Sequence, residues 1–533
     1  MKAIGQSASI KDFKDFNYIY IDKTEQIHSL LWQRRVFFSR PRRFGKSLVL
    51  DTIATLFEQG VEPYFKDTWI YDKWSQKTYP VLRLNFLDFG NDSLEKFTIK
   101  FNNYVSEFAK ELQLENDVVG IDPAETLLKL CNALKDKKIV ILIDEYDCQL
   151  TANINFPELY QKFISCIREI YATLKGKAQI RFLCITGVTR LKDATIFSVG
   201  SDIVDMSNDH SIATLVGFTR AEIKKFYSEY LAIAAMYANN CQLNEVTEAQ
   251  KESILDKLAE EYDGYCFDEM YLDKVFSTWS INSFFSALVR KQILEYGDYW
   301  YDNGGLPSIL AKYLNSHNLD MSIFQDGGIL VNRDKFDNPT SLLSIDQNVL
   351  MYQTGYLSLC SKKDGFTVKL STPNMEVQRA LMRLMAFQIY DEKVILSKDY
   401  KTLFMTENAD DMVSELNCLL NSVSYDKYPI TNESVLRVCL QCFFNGIANN
   451  VYAEMHNAKG RADLIVDLEN RRIVFELKFA DRAQECAQKL EEAVEQVKAR
   501  DYGHVWPKKE LLRLALVFNG SKEVRAITHY QEV

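Results

Sequence analysis

Residues 36–59 read "VFFSRPRRFGKSLVLDTIATLFEQ". An apolar run meets a basic turn, and the turn opens an amphipathic stretch, so the segment reads as strand, loop and helix. A loop ending in Gly45-Lys46-Ser47 between a strand and a helix has the context a phosphate-binding loop needs. Gly45 lets the backbone approach an anion without a Cβ in the way. The first N–H groups of the helix lack intrahelical partners, and the helix dipole adds positive potential there. Lys46 can reach outer phosphates, and the Ser47 hydroxyl can ligate Mg²⁺. Such a loop ordinarily opens with a glycine where Arg40 stands here. Alone, the stretch fits a working nucleotide site, a degenerate one, or a basic surface turn.

A second segment favours the first reading. "KKIVILIDEYD" (137–147) is an apolar strand ending in acids. Asp144, at its carboxyl end, is placed to hold Mg²⁺, and Glu145 could polarise an attacking water. "FLCITGVTR" (182–190) supplies a further strand with a polar tip. Thr186 is expected to sense the γ-phosphate. Arg190 fits either a nucleotide contact or a surface charge. Arg42 and Arg43 fit either phosphate contacts or a solvated basic turn.

Outward from these segments, residues 1–217 alternate strand and helix patterns, with "YIYID" as a short strand-like run and "YPVLRLNFLDF" as a strand. Unbroken apolar strands between helices predict a parallel sheet covered on both faces. Within residues 218–395 the pattern turns helical to about residue 300, with "TRAEIKKFYSEYLAIAAMYANN" started by a Thr219–Glu222 capping box. A small α/β or winged-helix region follows this helical lid. Linker helices span 396–424, and residues 425–533 restart an α/β pattern in the order helix, three strands, helix, strand.

At 533 residues, with 47% apolar and 26% charged residues, the chain has the composition of a soluble globular protein. Its net charge of −10 excludes a uniformly basic nucleic-acid coat, though not local basic patches. The start has no apolar signal-peptide core, and the longest apolar runs are too short to span a bilayer. Eleven scattered cysteines read as reduced thiols in a cytoplasmic chain, and "CLQC" (Cys439, Cys442) reads as helix packing.

The carboxyl-terminal region holds a second constellation, "GRADLIVDLENRRIVFELKFA" (460–480). Side chains alternate along a strand, so Glu476 and Lys478 share a face while Leu477 points away. Asp463 lies on the preceding strand. Two acids from adjacent strands can share a divalent cation, and a lysine beside them can stabilise developing charge on a phosphodiester. An exposed hairpin could carry the same residues. Yet a carboxylate and an ammonium on so apolar a strand are costly unless exposed in a cleft, paired or metal-bound.

Taken together, "YIYIDKT", "FFSRPRRFGKSL", "ILIDEYD", "ITGVTR", "GFTRAEI" and "YDGYCF" resemble the prokaryotic AAA-ATPase-like family with a fused nuclease-like domain. The loop of that family commonly reads "RPRRFGKS", so the resemblance makes Arg40 a family trait. It implies a P-loop, RecA/AAA-like core that binds ATP with Mg²⁺ through Arg42, Arg43, Phe44, Gly45, Lys46, Ser47, Leu48, Asp144, Thr186 and Arg190, with Glu145 catalytic. Residues 425–533 resemble the PD-(D/E)XK nuclease superfamily and imply a restriction-endonuclease-like α/β fold. Asp463, Glu476 and Lys478 match its core motif, Glu433 the acid on its first helix, Glu454 that on the preceding strand, and Gln496 a polar residue on the following helix. The implied metal ligands there are Asp463, Glu476 and Glu433, for Mg²⁺ or Mn²⁺. The resemblance implies a nucleic-acid substrate, no membrane, and compatibility with a homo-oligomer. The rival reading is an ATP-switched signalling or scaffold protein whose nuclease-like domain only binds.

Overall fold

The computed structural model describes residues 1–114, 118–191, 202–299, 310, 317, 319–324, 328–362, 364–448, 450–457, 460–500 and 509–533; the side chains of 454–457 and 460 lie outside this description. The chain divides into two compact units, Met1–Ser316 with Gly327–Val377, and His317–Asp326 with Gln378–Val533.

The first unit is built on β1 (Arg35–Ser39), β2 (Val81–Asn85), β3 (Ile139–Asp144), β4 (Ile180–Gly187) and β5 (Val204–Asp205), in the order β2-β3-β4-β1-β5. All four pairings are parallel. The apolar runs of β1, β3 and β4 are buried nearly throughout, as a sheet covered on both faces requires. β4 lies between β1 and β3, with Phe38 opposite Thr186, Ser39 opposite Gly187 and Ile143 opposite Ile185. That register brings the loop after β1 and the acids after β3 to one edge of the sheet, where ligands of such sheets sit.

Helices Lys46–Gln59, Leu94–Glu111, Pro123–Leu134 and Pro157–Leu174 belong to this unit. Ser93 and Asp122 cap two of them by accepting from the N–H of Lys96 and Glu125. The strand expected over "YPVLRLNFLDF" stops at Asn85, whose side chain accepts from Leu87 N and starts a 3₁₀ turn over Phe86–Phe89. "YIYID" forms no strand: Tyr18 makes only an isolated bridge to Ala3. Its alternation serves packing instead, because Ile19 and Ile21 join the buried core of the helical lid.

The lid comprises Arg220–Phe226, Ser228–Asn239, Glu248–Tyr262 and Thr278–Lys291. The expected capping box is present: Thr219 and Glu222 bond each other's backbone N–H. The single helix expected after it breaks at Tyr227 into two. A small antiparallel sheet follows, with β6 (Ile329–Asn332), β7 (Ser358–Leu359) and β8 (Thr367–Ser371) in the order β6-β8-β7. Helix Gln347–Thr354 belongs to the same unit.

The second unit carries β9 (Asn450–Asn457), β10 (Gly460–Asp467), β11 (Arg471–Ala480), β12 (Glu510–Asn519) and β13 (Ala526–Glu532), in the order β13-β12-β11-β10-β9. Among the described residues, only the central β11–β12 pair of this sheet is parallel. Helices Glu433–Phe444 and Cys486–Arg500 belong to this unit, and Cys439 and Cys442 are buried on the first of them. The sequence pattern missed β13. Among the described residues, no helix is long and apolar enough to cross a membrane.

Candidate functional site

Gly45 begins helix Lys46–Gln59 with φ +97°, and a Cβ there would meet nothing within 4 Å. Its backbone conformation, rather than crowding, is what calls for glycine. Lys46 is buried, and its ammonium is folded over the loop, donating to the carbonyls of Arg40 (3.1 Å) and Pro41 (3.2 Å). Glu145 Oε1 lies 3.9 Å from the same nitrogen. The Ser47 hydroxyl donates to Asp144 Oδ2 at 2.7 Å. Burial raises the Asp144 carboxyl above its ordinary value, against the pull of Ser47 and Lys46. A hydroxyl and a carboxylate at this separation are hard oxygen donors suited to Mg²⁺. Thr186, at the tip of β4, is fully buried, and its hydroxyl has no partner among the described residues.

The arginines of the loop divide. Arg40 is 1% exposed, and its guanidinium turns inward, donating to the carbonyls of Ser39 (2.9 Å), Ser207 (2.5 Å) and Ile212 (3.2 Å) and lying 4.5 Å over the Phe267 ring. Burial pushes its pKa down to about 10. Arg43 (φ +67°) stacks 4.0 Å over the Trp279 ring of the lid, and Thr278 Oγ1 donates to its carbonyl at 2.8 Å. Arg42 is half-buried. Arg190, which fits either a nucleotide contact or a surface charge, pairs with Asp205 and lies 3.8 Å from Asp337.

A cavity of about 230 Å³ adjoins the loop. Arg43, Phe44, Gly45 and Leu48 line it, as do Tyr20 of the amino-terminal segment and Trp279 of the lid. Its mixed apolar and polar wall suits a nucleobase and sugar. The sequence reading missed Tyr20 and Trp279. "YIYIDKT" was the available signal, but it gave no role to its residues.

In the second unit, Asp463 and Glu476 come from adjacent antiparallel strands, and Asp463 Oδ2 accepts from Leu477 N at 2.8 Å. Glu476 is 2% exposed, and its Oε2 has no partner among the described residues. Lys478 Nζ lies 3.4 Å from Glu476 Oε1 and 3.7 Å from Glu433 Oε2. Burial, then Asp463, raises Glu476 to about 7 against the pull of Lys478. Burial likewise raises Glu433. Gln496 Oε1 is also buried with no partner among the described residues. Two carboxyls raised above their ordinary values, one with an unpartnered buried oxygen, fit a divalent cation, which would supply positive charge there. The Glu454 side chain lies outside the described residues. His210, Asp268 and Asp273 also draw together, but Asp268 already accepts from the N–H of Met270, Leu272 and Asp273, so the trio closes a turn.

Residues 7–197 match the family model described as predicted AAA-ATPase, and residues 431–527 match the PD-(D/E)XK nuclease superfamily. The chain joins an AAA-ATPase-like segment to a PD-(D/E)XK nuclease-superfamily segment. A curated protein of Azotobacter chroococcum mcd 1, described as an uncharacterized protein in the vnfD 5′ region, is 24% identical over 498 residues, covering 89% of this chain and 88% of that one. The structure of the Aeropyrum pernix ORC1 protein in complex with DNA overlaps with a TM-score of 0.26 at 12% identity, covering 71% of this chain and 97% of that one. The Aeropyrum pernix ORC2 protein in ADPNP–ADP complexes gives 0.28 at 10%, covering 69% and 97%. At those scores the likeness adds nothing to the fold described above. In the AAA-ATPase-like segment β1, β3 and β4 carry the loop, the acids and Thr186. The nuclease-superfamily segment contains Glu433, Asp463, Glu476, Lys478 and Gln496.

Proposed function

We propose that this chain is an ATP-hydrolysing switch fused to a divalent-cation-dependent phosphodiesterase acting on DNA or RNA, with nucleotide state gating cleavage. The observation that carries the reading is the Ser47–Asp144 contact of 2.7 Å, with Lys46 and Glu145 beside it and a base-sized cavity adjoining. Lys46 would exchange its loop carbonyls for the outer phosphates, and Glu145 would orient the attacking water. Mg²⁺ held by Ser47 and Asp144 would neutralise phosphate charge. In the second unit, Glu433, Asp463 and Glu476 would hold Mg²⁺ or Mn²⁺, which activates water and offsets charge on the phosphodiester. Lys478 would stabilise the charge that develops there. The family resemblance adds a prokaryotic setting in defence or mobile-element biology, and the scattered cysteines suit the cytoplasm.

The test is cleavage of plasmid and single-stranded substrates with Mg²⁺ or Mn²⁺, with and without ATP. Asp463→Ala and Lys478→Ala should each abolish cleavage. Lys46→Ala should abolish nucleotide binding or turnover, and Glu145→Gln should retain binding and stop turnover. Undiminished cleavage by the Asp463 and Lys478 variants would sink the nuclease assignment. ATP turnover with nucleic-acid binding but no cleavage would favour the scaffold reading, which the acidic net charge of −10 already leans toward.

A further inference from the structure

The tip of β3 holds a third acid that neither proposed site uses. Asp147 is 1% exposed. Its carboxylate accepts from Val188 N (3.3 Å), Thr189 N (2.7 Å) and the Thr189 hydroxyl (2.6 Å). Tyr146 makes two parallel ties: its N–H donates to Thr186 O at 3.2 Å, and its phenol donates to Thr189 O at 3.1 Å. The segment after β3 is thus bolted to the end of β4 and the residues just after it by these bonds.

Between Asp144 and these ties stands Glu145, at φ +52°. A non-glycine residue in the left-handed region is disfavoured and persists only where its surroundings hold it. On one side it is held by its own N–H, which donates to Asp144 Oδ1 at 2.9 Å. On the other side the holder is the bolt through Tyr146 and Asp147. Gly187 fits flush against that bolt: a Cβ there would come within 2.5 Å of Asp147 Oδ1 and of the Tyr146 ring. Burying a carboxylate is costly, and the three donors to Asp147 named above are neutral. A neutral amide of the same shape would turn its NH₂ group toward an N–H donor. Only the acid, with acceptors on both oxygens, closes this joint.

We propose that Asp147 is a positioning residue for ATP hydrolysis: it locks the loop after β4 to the tip of β3, so that Glu145 and Thr186 keep one fixed relation to each other. The inference rests on the ATPase reading above. The joint continues outward, because the side-chain amide of Gln353 brackets Arg190, accepting from its N–H and donating to its carbonyl, both at 3.1 Å. Helix Gln347–Thr354 is therefore tied to the same loop.

The test is steady-state ATP turnover by the full chain, titrated in ATP, for Lys46→Ala, Glu145→Gln, Asp147→Asn, Thr189→Val and Thr189→Ser, with thermal melting of each. Asp147→Asn should lower kcat about 10- to 100-fold, as a displaced catalytic group does, while KM stays within about threefold of wild type. Thr189→Val should shift kcat in the same direction, and Thr189→Ser, which keeps the hydroxyl, should restore it. If Lys46→Ala and Glu145→Gln stop turnover but Asp147→Asn leaves kcat within about twofold, the ATPase reading stands and the role of Asp147 is overturned. If Thr189→Ser loses as much as Thr189→Val, or kcat falls only with the melting temperature, the joint is mere packing and the proposal fails. If Lys46→Ala and Glu145→Gln turn over normally, the ATPase reading fails and takes the inference with it.

Discussion

Arg40→Ala separates two jobs for the residue that stands in place of the usual opening glycine. A phosphate ligand would cost nucleotide affinity and leave the fold intact. A buried pin would cost stability first. The structure favours the pin, since the guanidinium is 1% exposed and its distant partners are the carbonyls of Ser207 (2.5 Å) and Ile212 (3.2 Å). Hydrogen bonds from a charged donor contribute about 1.5–3 kcal/mol each. Stacking over Phe267 at 4.5 Å adds about 0.5–2 kcal/mol. Against these stands the cost of burying the cation, visible in a pKa pushed down to about 10. The net loss on truncation should be about 3–5 kcal/mol, the range for breaking a buried charged contact. At about 2–4 °C per kcal/mol, melting should fall by roughly 6–20 °C. Arg40→Lys should recover only part of this, because an ammonium lacks the planar fork that reaches both carbonyls. The assay is thermal melting at fixed scan rate alongside nucleotide binding measured well below the melting range. A variant that melts with wild type but has lost nucleotide affinity would refute the reasoning.

Two further outcomes follow from the same geometry. Glu476 sits at about 7 in the folded chain against an ordinary 4.5, so the metal-free protein holds an extra proton between those values and loses stability as pH rises through that window. A divalent cation must displace that proton, so Mn²⁺ affinity by calorimetry should strengthen about tenfold from pH 6 to pH 8; a flat profile would remove Glu476 from the ligand set. Trp279→Leu removes the ring under Arg43 at 4.0 Å and should weaken nucleotide binding about tenfold, with wild-type tryptophan fluorescence changing on binding; unchanged affinity would place the nucleotide away from the lid.

The sequence alone determined the parts that depend on local pattern. Unbroken apolar runs marked β1, β3 and β4, because strands buried on both faces leave no polar positions. Gly45-Lys46-Ser47 and Asp144-Glu145 were legible because phosphate and cation chemistry restrict residue type at strand tips. Glu476 and Lys478 were placed on one face by the period of a strand, and Asp463 on the strand before it. What tertiary structure decided were matters of direction and partner. Arg40 and Arg43 look equivalent in "RPRRF", yet one turns into the protein toward Ser207 and Ile212 while the other stacks on the lid. Asp144 and Asp147 look alike in "DEYD", yet one meets Ser47 and the other clamps Thr189. "YIYID" alternates like a strand but lacks a neighbouring strand, so its isoleucines fill the lid core instead. Local pattern fixes which residues are apolar, basic or acidic. Only the packed chain fixes what each one faces, because the partners come from segments far away in the sequence.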